Sequence, residues 1–160
     1  MAADLVISII NFRTGEMTLN CVGSALADIK GLNAEVVVVD NASGDGSDDM
    51  IAEWIADQPE GTPVRLIHSA TNSGFSGGHN QAIEAVPAAY YLLMNSDGLL
   101  RPGCCQTILD LAHTNPKAGL ISPRIEDEAG NPQHSFFRFA SPASELIRGA
   151  ETGPVTRALH

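Results

Sequence analysis

Two apolar runs in this chain each end on a carboxylate, and that pairing carries most of the chemistry within its reach. Val36-Val37-Val38-Val39 leads into Asp40-Asn41-Ala42-Ser43 and then the acidic turn Asp45-Gly46-Ser47-Asp48-Asp49. Tyr90-Tyr91-Leu92-Leu93-Met94 leads into Asn95-Ser96-Asp97. A carboxylate on a tight turn can bind Mg²⁺ or Mn²⁺ while diphosphate oxygens complete the coordination shell. The metal then offsets charge on a leaving nucleoside diphosphate. An Asx-turn that simply closes the strand fits Asn95-Ser96-Asp97 as well. Asp40 follows a buried run and needs partners, because desolvating an unpaired carboxylate costs several kcal/mol. A pyrimidine imide N–H or ribose hydroxyls would serve, and so would backbone N–H groups of the Asn41 to Ser47 turn.

Other residues offer weaker chemistry. Asn11-Phe12 ends the first apolar run, where an aromatic ring can stack on a base or fill core. Gly74-Phe75-Ser76-Gly77-Gly78 reads as a turn before a helix, so its N–H groups could meet phosphate or merely connect two elements. It has neither the Lys-Ser/Thr of a P-loop nor the G-x-G-x-x-G spacing of a dinucleotide fold. His68, His79 and His134 show no ligand spacing and read as surface or packing residues.

The elements that must position these groups alternate along the chain. Four consecutive Val have no polar alternation, which predicts a strand covered on both faces, as in a parallel sheet between helices. Strands are expected at Leu5 to Phe12, Val36 to Val39, Val64 to His68, Tyr90 to Met94 and, fifth, Gly119 to Ser122. Helices are expected from about Gly15 to Lys30 with Met17, Cys21, Ala25 and Ile29 inward, and after Ser47 as N-cap with Ile51, Trp54 and Ile55 inward. Two more carry Ala82, Ile83 and Val86, and, from near Pro102, Cys105, Ile108, Leu109 and Ala112. This order predicts a layered α/β domain with a mainly parallel sheet, whose ligands bind beyond the carboxyl ends of the strands. The domain is expected over residues 1–140, with 141–160 an irregular tail or the start of an acceptor-binding half. Phe136, Phe137 and Phe139 form an apolar segment that could pair as a strand.

Composition narrows the partners. The 160 residues carry 9 Lys+Arg against 19 Asp+Glu, a formal charge of -10. Phosphate backbones need clustered cations, so nucleic acid is disfavoured as the main partner. The three cysteines, Cys21, Cys104 and Cys105, have no metal-type spacing. With no recognisable signal peptide and no membrane span, they favour a reducing cytoplasm, with the inner membrane face as the other location.

Taken together, the pieces resemble the family 2 glycosyltransferases, particularly the rhamnosyltransferase-like branch. The matching stretches are Val6-Ile7-Ser8-Ile9-Ile10-Asn11-Phe12, Val38-Val39-Asp40-Asn41-Ala42-Ser43-Gly44-Asp45-Gly46-Ser47, Asn72-Ser73-Gly74-Phe75-Ser76-Gly77-Gly78-His79-Asn80 and Leu93-Met94-Asn95-Ser96-Asp97. Ile121-Ser122-Pro123-Arg124-Ile125, Gly130 and Gln133-His134-Ser135 look like the segment that follows, so the resemblance covers about residues 4–140.

It implies a GT-A fold and a UDP- or dTDP-linked sugar donor. The reaction would be inverting transfer to an acceptor hydroxyl, in cell-surface polysaccharide or glycan synthesis. The donor-binding residues would be Asn11, Phe12, Asp40, Asn41, Ser43, Asn72, Gly74, Gly78, Asn80 and Asn95. Asp40 would hold the pyrimidine, Phe12 would lie against the base and Asn80 would line the pocket. Asn95-Ser96-Asp97 stands where the family carries its DxD-type motif, which makes Asp97 the expected ligand of Mg²⁺ or Mn²⁺. The family's general base lies on an acidic motif further along, and the neighbours of Glu145 and Glu151 do not match it. The expectation is therefore the donor-binding half of a glycosyltransferase, truncated at its acceptor half, with self-association through uncovered apolar surface. A non-catalytic nucleotide-sugar binding module and a nucleotidyltransferase are the alternatives.

Overall fold

The computed structural model describes residues 2–127 and 129–133. The chain divides into two compact units, Met1–Ile121 and Ser122–His160. The first contains β1 (Ala3–Asn11), α1 (Gly15–Asp28), β2 (Ala34–Asp40), α2 (Ser47–Ala56), β3 (Val64–His68), α3 (Gly74–Ala85), β4 (Ala88–Asn95) and α4 (Cys104–Thr114). In the second, the described residues make a turn in which the Gln133 N–H donates to the Ile125 carbonyl at 2.8 Å and Glu126 bridges Pro132. Phe136, Phe137, Phe139, Glu145 and Glu151, and the 141–160 tail, lie outside the described residues.

The four strands are parallel and run in the order β3-β2-β1-β4. A parallel crossover has one preferred hand. The chain therefore steps β1 to β2 to β3 with α1 and α2 on one face, then returns through α3 on the other face to lay β4 beside β1. Leu5, Ile7, Ile9, Val36 and Val38 pack with α1, α2 and α4, whereas Val6, Ile10, Val37 and Val39 pack with Ala82 of α3 and with Val86, which ends that helix. That split explains the Val run: each of the four is fully buried, alternating between two cores. Burying one such side chain is worth about 1.5–3 kcal/mol.

Several expectations are corrected. Gly119 to Ser122 forms no strand, and Leu120 is 91% exposed. A run of three residues between Gly119 and Pro123 is too short to hold a ladder. Gly74 to Gly78 is the first turn and a half of α3 rather than a loop before it. A Cβ on Gly77 would lie 2.6 Å from Ser73 Cβ, and one on Gly78 would lie 2.8 Å from Ile10 Cδ1. These two glycines let the helix close on its own cap and on β1. In α1 the buried stripe is Thr18, Cys21, Val22 and Ala25, with Met17 47% exposed. Thr18 can face inward because its hydroxyl donates to Asn11 Oδ1 at 3.0 Å. Ser47 is the first residue of α2 rather than its cap. Gly46 caps with φ 83°, and Asp45 Oδ1 accepts both the Ser47 N–H and its hydroxyl.

His79 is buried on the α3 face, with Nδ1 2.7 Å from Ser8 Oγ, Nε2 unpartnered and its ring edge-on to Phe75. The reading of His79 as a packing residue fits this placement. No helix among the described residues is long and apolar enough to cross a membrane.

Two predictions follow from this packing. The Asp28 carboxylate at the end of α1 accepts the Gly103 N–H and, at 2.7 Å, the Cys105 N–H, so it caps α4 from a different helix. Asp28→Ala should lower the unfolding free energy by about 1 kcal/mol without changing the denaturant slope. Burial lowers the His79 pKa below its ordinary 6.5. The unfolded chain thus binds this proton more readily, so the stability tied to His79 is complete above pH 6.5 and falls as pH drops below that value. Urea titrations from pH 7 downward should show a shallower loss for His79→Gln than for the parent chain.

Candidate functional site

Strand register lines up the carboxyl ends. Asn11 stands opposite Asp40, Asp40 opposite His68, and Ile10 opposite Asn95. Chain order reverses between β1 and β4, and a crevice for ligands opens at such a switch point in α/β sheets.

Asn11, fully buried, ties this edge together. Its Nδ2 lies 2.7 Å from Asp40 Oδ1, 2.8 Å from Ser47 Oγ and 3.1 Å from Ser43 Oγ. Its Oδ1 accepts from the Thr14 N–H, the Thr14 hydroxyl and the Thr18 hydroxyl. The amide can face only this way, since a flip would turn its oxygen toward the Asp40 carboxylate. Asp40 is 3% exposed, and it also accepts the Ser43 hydroxyl on Oδ1 and, at 3.1 Å, the Ser43 N–H on Oδ2. So the turn satisfies Asp40 from within, as one of the two sequence readings allowed.

The turns after both strands are strained. Arg13 has φ 60° and Ala42 φ 57°, each two residues past a strand's terminal polar group. A non-glycine residue there costs about 1–3 kcal/mol and persists only where its surroundings enforce it. The enforcement is visible: the Arg13 N–H donates to Ser43 Oγ at 3.1 Å, and Arg13 Nε donates to the Ser43 carbonyl at 3.0 Å. The guanidinium carbon stands 5.2 Å from the centre of the Phe12 ring, which is 41% exposed.

Across the switch point, Thr14 Oγ1 and Ser96 Oγ are hydrogen-bonded at 3.0 Å, joining the cap of α1 to the turn after β4. That turn closes through the Gly98 N–H on the Asn95 carbonyl, which also accepts the Cys21 thiol from below. Asp97 is exposed. Burial, aided by the Asp97 charge, pushes the Cys21 thiol up to about 12, so it stays a neutral packing group. The three cysteines are free thiols.

Asn41 is buried and staples β2 to α3. Its Oδ1 accepts the Ser73 N–H and hydroxyl, and its Nδ2 donates to Asn72 Oδ1 and the Gly74 carbonyl. Of the expected donor residues, Asn11, Asp40, Asn41, Ser43 and Gly78 are thus inside the fold. Phe12, Asn72, Gly74, Asn80, Asn95 and the metal candidate Asp97 are exposed. Sequence reasoning passed over Arg13, Thr14 and Thr18, whose only signal was proximity to Asn11. It also set His68 aside, yet Asp40, Asp48 and His68 each bring a ligand atom within 4.8 Å of the others, with Asp48 Oδ2 3.6 Å from His68 Nδ1. A cavity of about 830 Å³ opens at the opposite, amino-terminal edge of the strands, beside Ala3, Ala34, Val64 and Pro87. Its charged residues, Glu35 and Arg65, pair with each other.

Residues 6–153 match the family described as glycosyl transferase family 2. The chain belongs to that family. Its fold is GT-A, as the solved structures it resembles also indicate. One is a mannosyltransferase from Pyrobaculum calidifontis in complex with GDP-Man and Mn²⁺, with TM-score 0.58, 17% identity, and coverage of 68% of this chain and 31% of that one. Another is Staphylococcus aureus TarS 1-349 in complex with UDP, with TM-score 0.56, 16% identity, and coverage of 72% and 33%. The chain thus spans about a third of the length of these structures. No curated protein matches it.

The Asn11 network makes a sharp stability prediction. Asn11→Ala removes the donor that Asp40 and Ser47 share and should cost about 2–3 kcal/mol, since it leaves a buried charge short of a partner. Asn11→Asp is isosteric but sets a second carboxylate against Asp40, and chemical denaturation should find it the less stable of the two.

Proposed function

We propose that this chain is the donor-binding portion of an inverting glycosyltransferase, taking a UDP- or dTDP-linked sugar with Mg²⁺ or Mn²⁺. The observation that supports this most is the switch point itself. An exposed carboxylate, Asp97, stands there on a turn that Thr14 and Ser96 join to the end of β1. One similar structure is a complex with GDP-Man and Mn²⁺ and another a complex with UDP, which supports a nucleotide-diphosphate ligand here; the preference for a pyrimidine base is this reading's own.

The residues divide the work. Asp97 would hold the cation, with donor phosphates and water as its other ligands. A single hard oxygen plus substrate oxygens suits Mg²⁺ or Mn²⁺, which usually bind through one or two carboxylates. When bound, the ion supplies charge compensation for the departing diphosphate. Among the described residues, Asp40, Asp48 and His68 form a further group able to hold a cation. Asp97 is preferred because the Asp40 oxygens are engaged by Asn11 and Ser43. Asp40 then serves the donor by fixing the loop that carries Phe12, and contact with the base falls to exposed groups such as Phe12. Asn72, Asn80 and Asn95 would border the sugar-nucleotide, within a donor domain over about residues 1–140.

The acceptor would be a hydroxyl of a glycan or lipid-linked sugar in cell-surface polysaccharide synthesis. General-base assistance is worth about 10²–10⁴-fold, and the family's base motif has no counterpart in the matched stretches. Transfer by the 160-residue chain alone should therefore be slow.

Calorimetric titration with UDP, dTDP, GDP and ADP, with and without Mn²⁺, tests the reading. UDP and dTDP should bind most tightly and should need the metal, while equal affinity for all four would sink the pyrimidine assignment. Asp97→Asn should weaken the Mn²⁺-dependent part about tenfold or more, a loss of ~1.4 kcal/mol. If His68→Ala removes the metal dependence and Asp97→Asn does not, the cation belongs at Asp40, Asp48 and His68.

A further inference from the structure

The excess of acid leaves a question of charge: an anionic ligand approaching this edge needs a cation to meet it. Lys30 follows α1 at the far edge of the sheet, and Arg65 is paired with Glu35. Arg13 sits at the right edge, directly after Phe12 and beside Thr14, which reaches Ser96. The fold holds it there at the cost of a left-handed backbone. Its Nε is anchored on the Ser43 carbonyl, its guanidinium carbon lies over the Phe12 ring and its charge acts on the nearby Asp45 carboxylate, while its two terminal nitrogens make no hydrogen bond or ion pair among the described residues. A guanidinium fixed at one corner, with the outer pair of donors presented to solvent, is built for bidentate contact with phosphate oxygens.

We infer that Arg13 receives the diphosphate of the donor, on the β1 side of the switch point opposite Asp97. This rests on the nucleotide-sugar reading above and adds a positioning residue to it. Arg13 contributes charge and orientation without reading the base, so its effect is common to nucleotides that share a diphosphate and absent for the nucleoside alone. The strained backbone is the means of aiming it. An extended Arg13 would carry its side chain away from Ser43 and Phe12.

The test compares the parent chain with Arg13→Asn and Arg13→Lys, titrated with UDP, uridine and inorganic pyrophosphate at two salt concentrations. Asparagine tolerates the left-handed region, and the melting temperature reports whether the fold is kept. UDP and pyrophosphate affinity should fall about tenfold to a hundredfold in Arg13→Asn, uridine affinity should not change, and the salt dependence should flatten. Arg13→Lys keeps the charge but loses the fork and the Ser43 anchor, so it should fall between the two. If the parent chain binds UDP and Arg13→Asn binds it equally well, the inference is overturned and the donor reading stands. Equal loss of UDP and uridine also overturns it, since Arg13 would then act by shaping the Phe12 loop. A parent chain that binds neither UDP nor pyrophosphate overturns the donor reading and the inference together.

Discussion

Everything at the carboxyl edge depends on one buried hydrogen bond, from the Asn11 amide to the Asp40 carboxylate. It joins the last residues of the two central strands at 2.7 Å, and the rest of the edge is arranged around it. Ser43 and Ser47 share the same donor, Thr14 and Thr18 share the opposing acceptor, and Arg13 is drawn onto Ser43. A neutral amide suits the position because it offers donors on one side and an acceptor on the other. A buried charge is tolerated only when such partners surround it. The loops at this edge therefore have little freedom, although they contain two left-handed non-glycine residues.

Asp40 was readable as a base-binding group because it ends a strand at the ligand edge. In the structure its oxygens accept from Asn11 and Ser43, and a shell of exposed residues surrounds it. Around the buried network, Phe12, Arg13, Asn95 and Asp97 are exposed to solvent.

Much of this was legible in the sequence, for identifiable reasons. The unbroken Val run admits few interpretations once flanked by helical periodicity, so the parallel α/β layering was accessible. Register was not, and register sets Asn11 opposite Asp40 and Asp40 opposite His68. The Gly74 to Gly78 segment misled because glycine signals both flexible turns and close packing, and only the proximity of Ile10 and Ser73 separates the two. Leu120 and Ile121 misled because apolar residues next to a turn look like a strand whether or not a neighbour exists to pair with them. Arg13 left no mark in any periodicity, since its importance lies in a backbone angle.

The strand order has a consequence for how evenly the site is held. Asn11 and Asp40 lie on β1 and β2, each paired on both sides, whereas Asn95 to Asp97 follow β4, which pairs with β1 alone among the described strands. Leu93 in β4 is 46% exposed, while the inward residues of β1 and β2 are fully covered. Opening free energies are lower for elements with fewer buried contacts and less protected backbone. One wall of the crevice is thus stiff and the other compliant, coupled through Thr14 and Ser96. A ligand that touches both walls would spend part of its interaction energy quieting β4. Its residence time would then report the ordering of that strand as much as the contacts it makes.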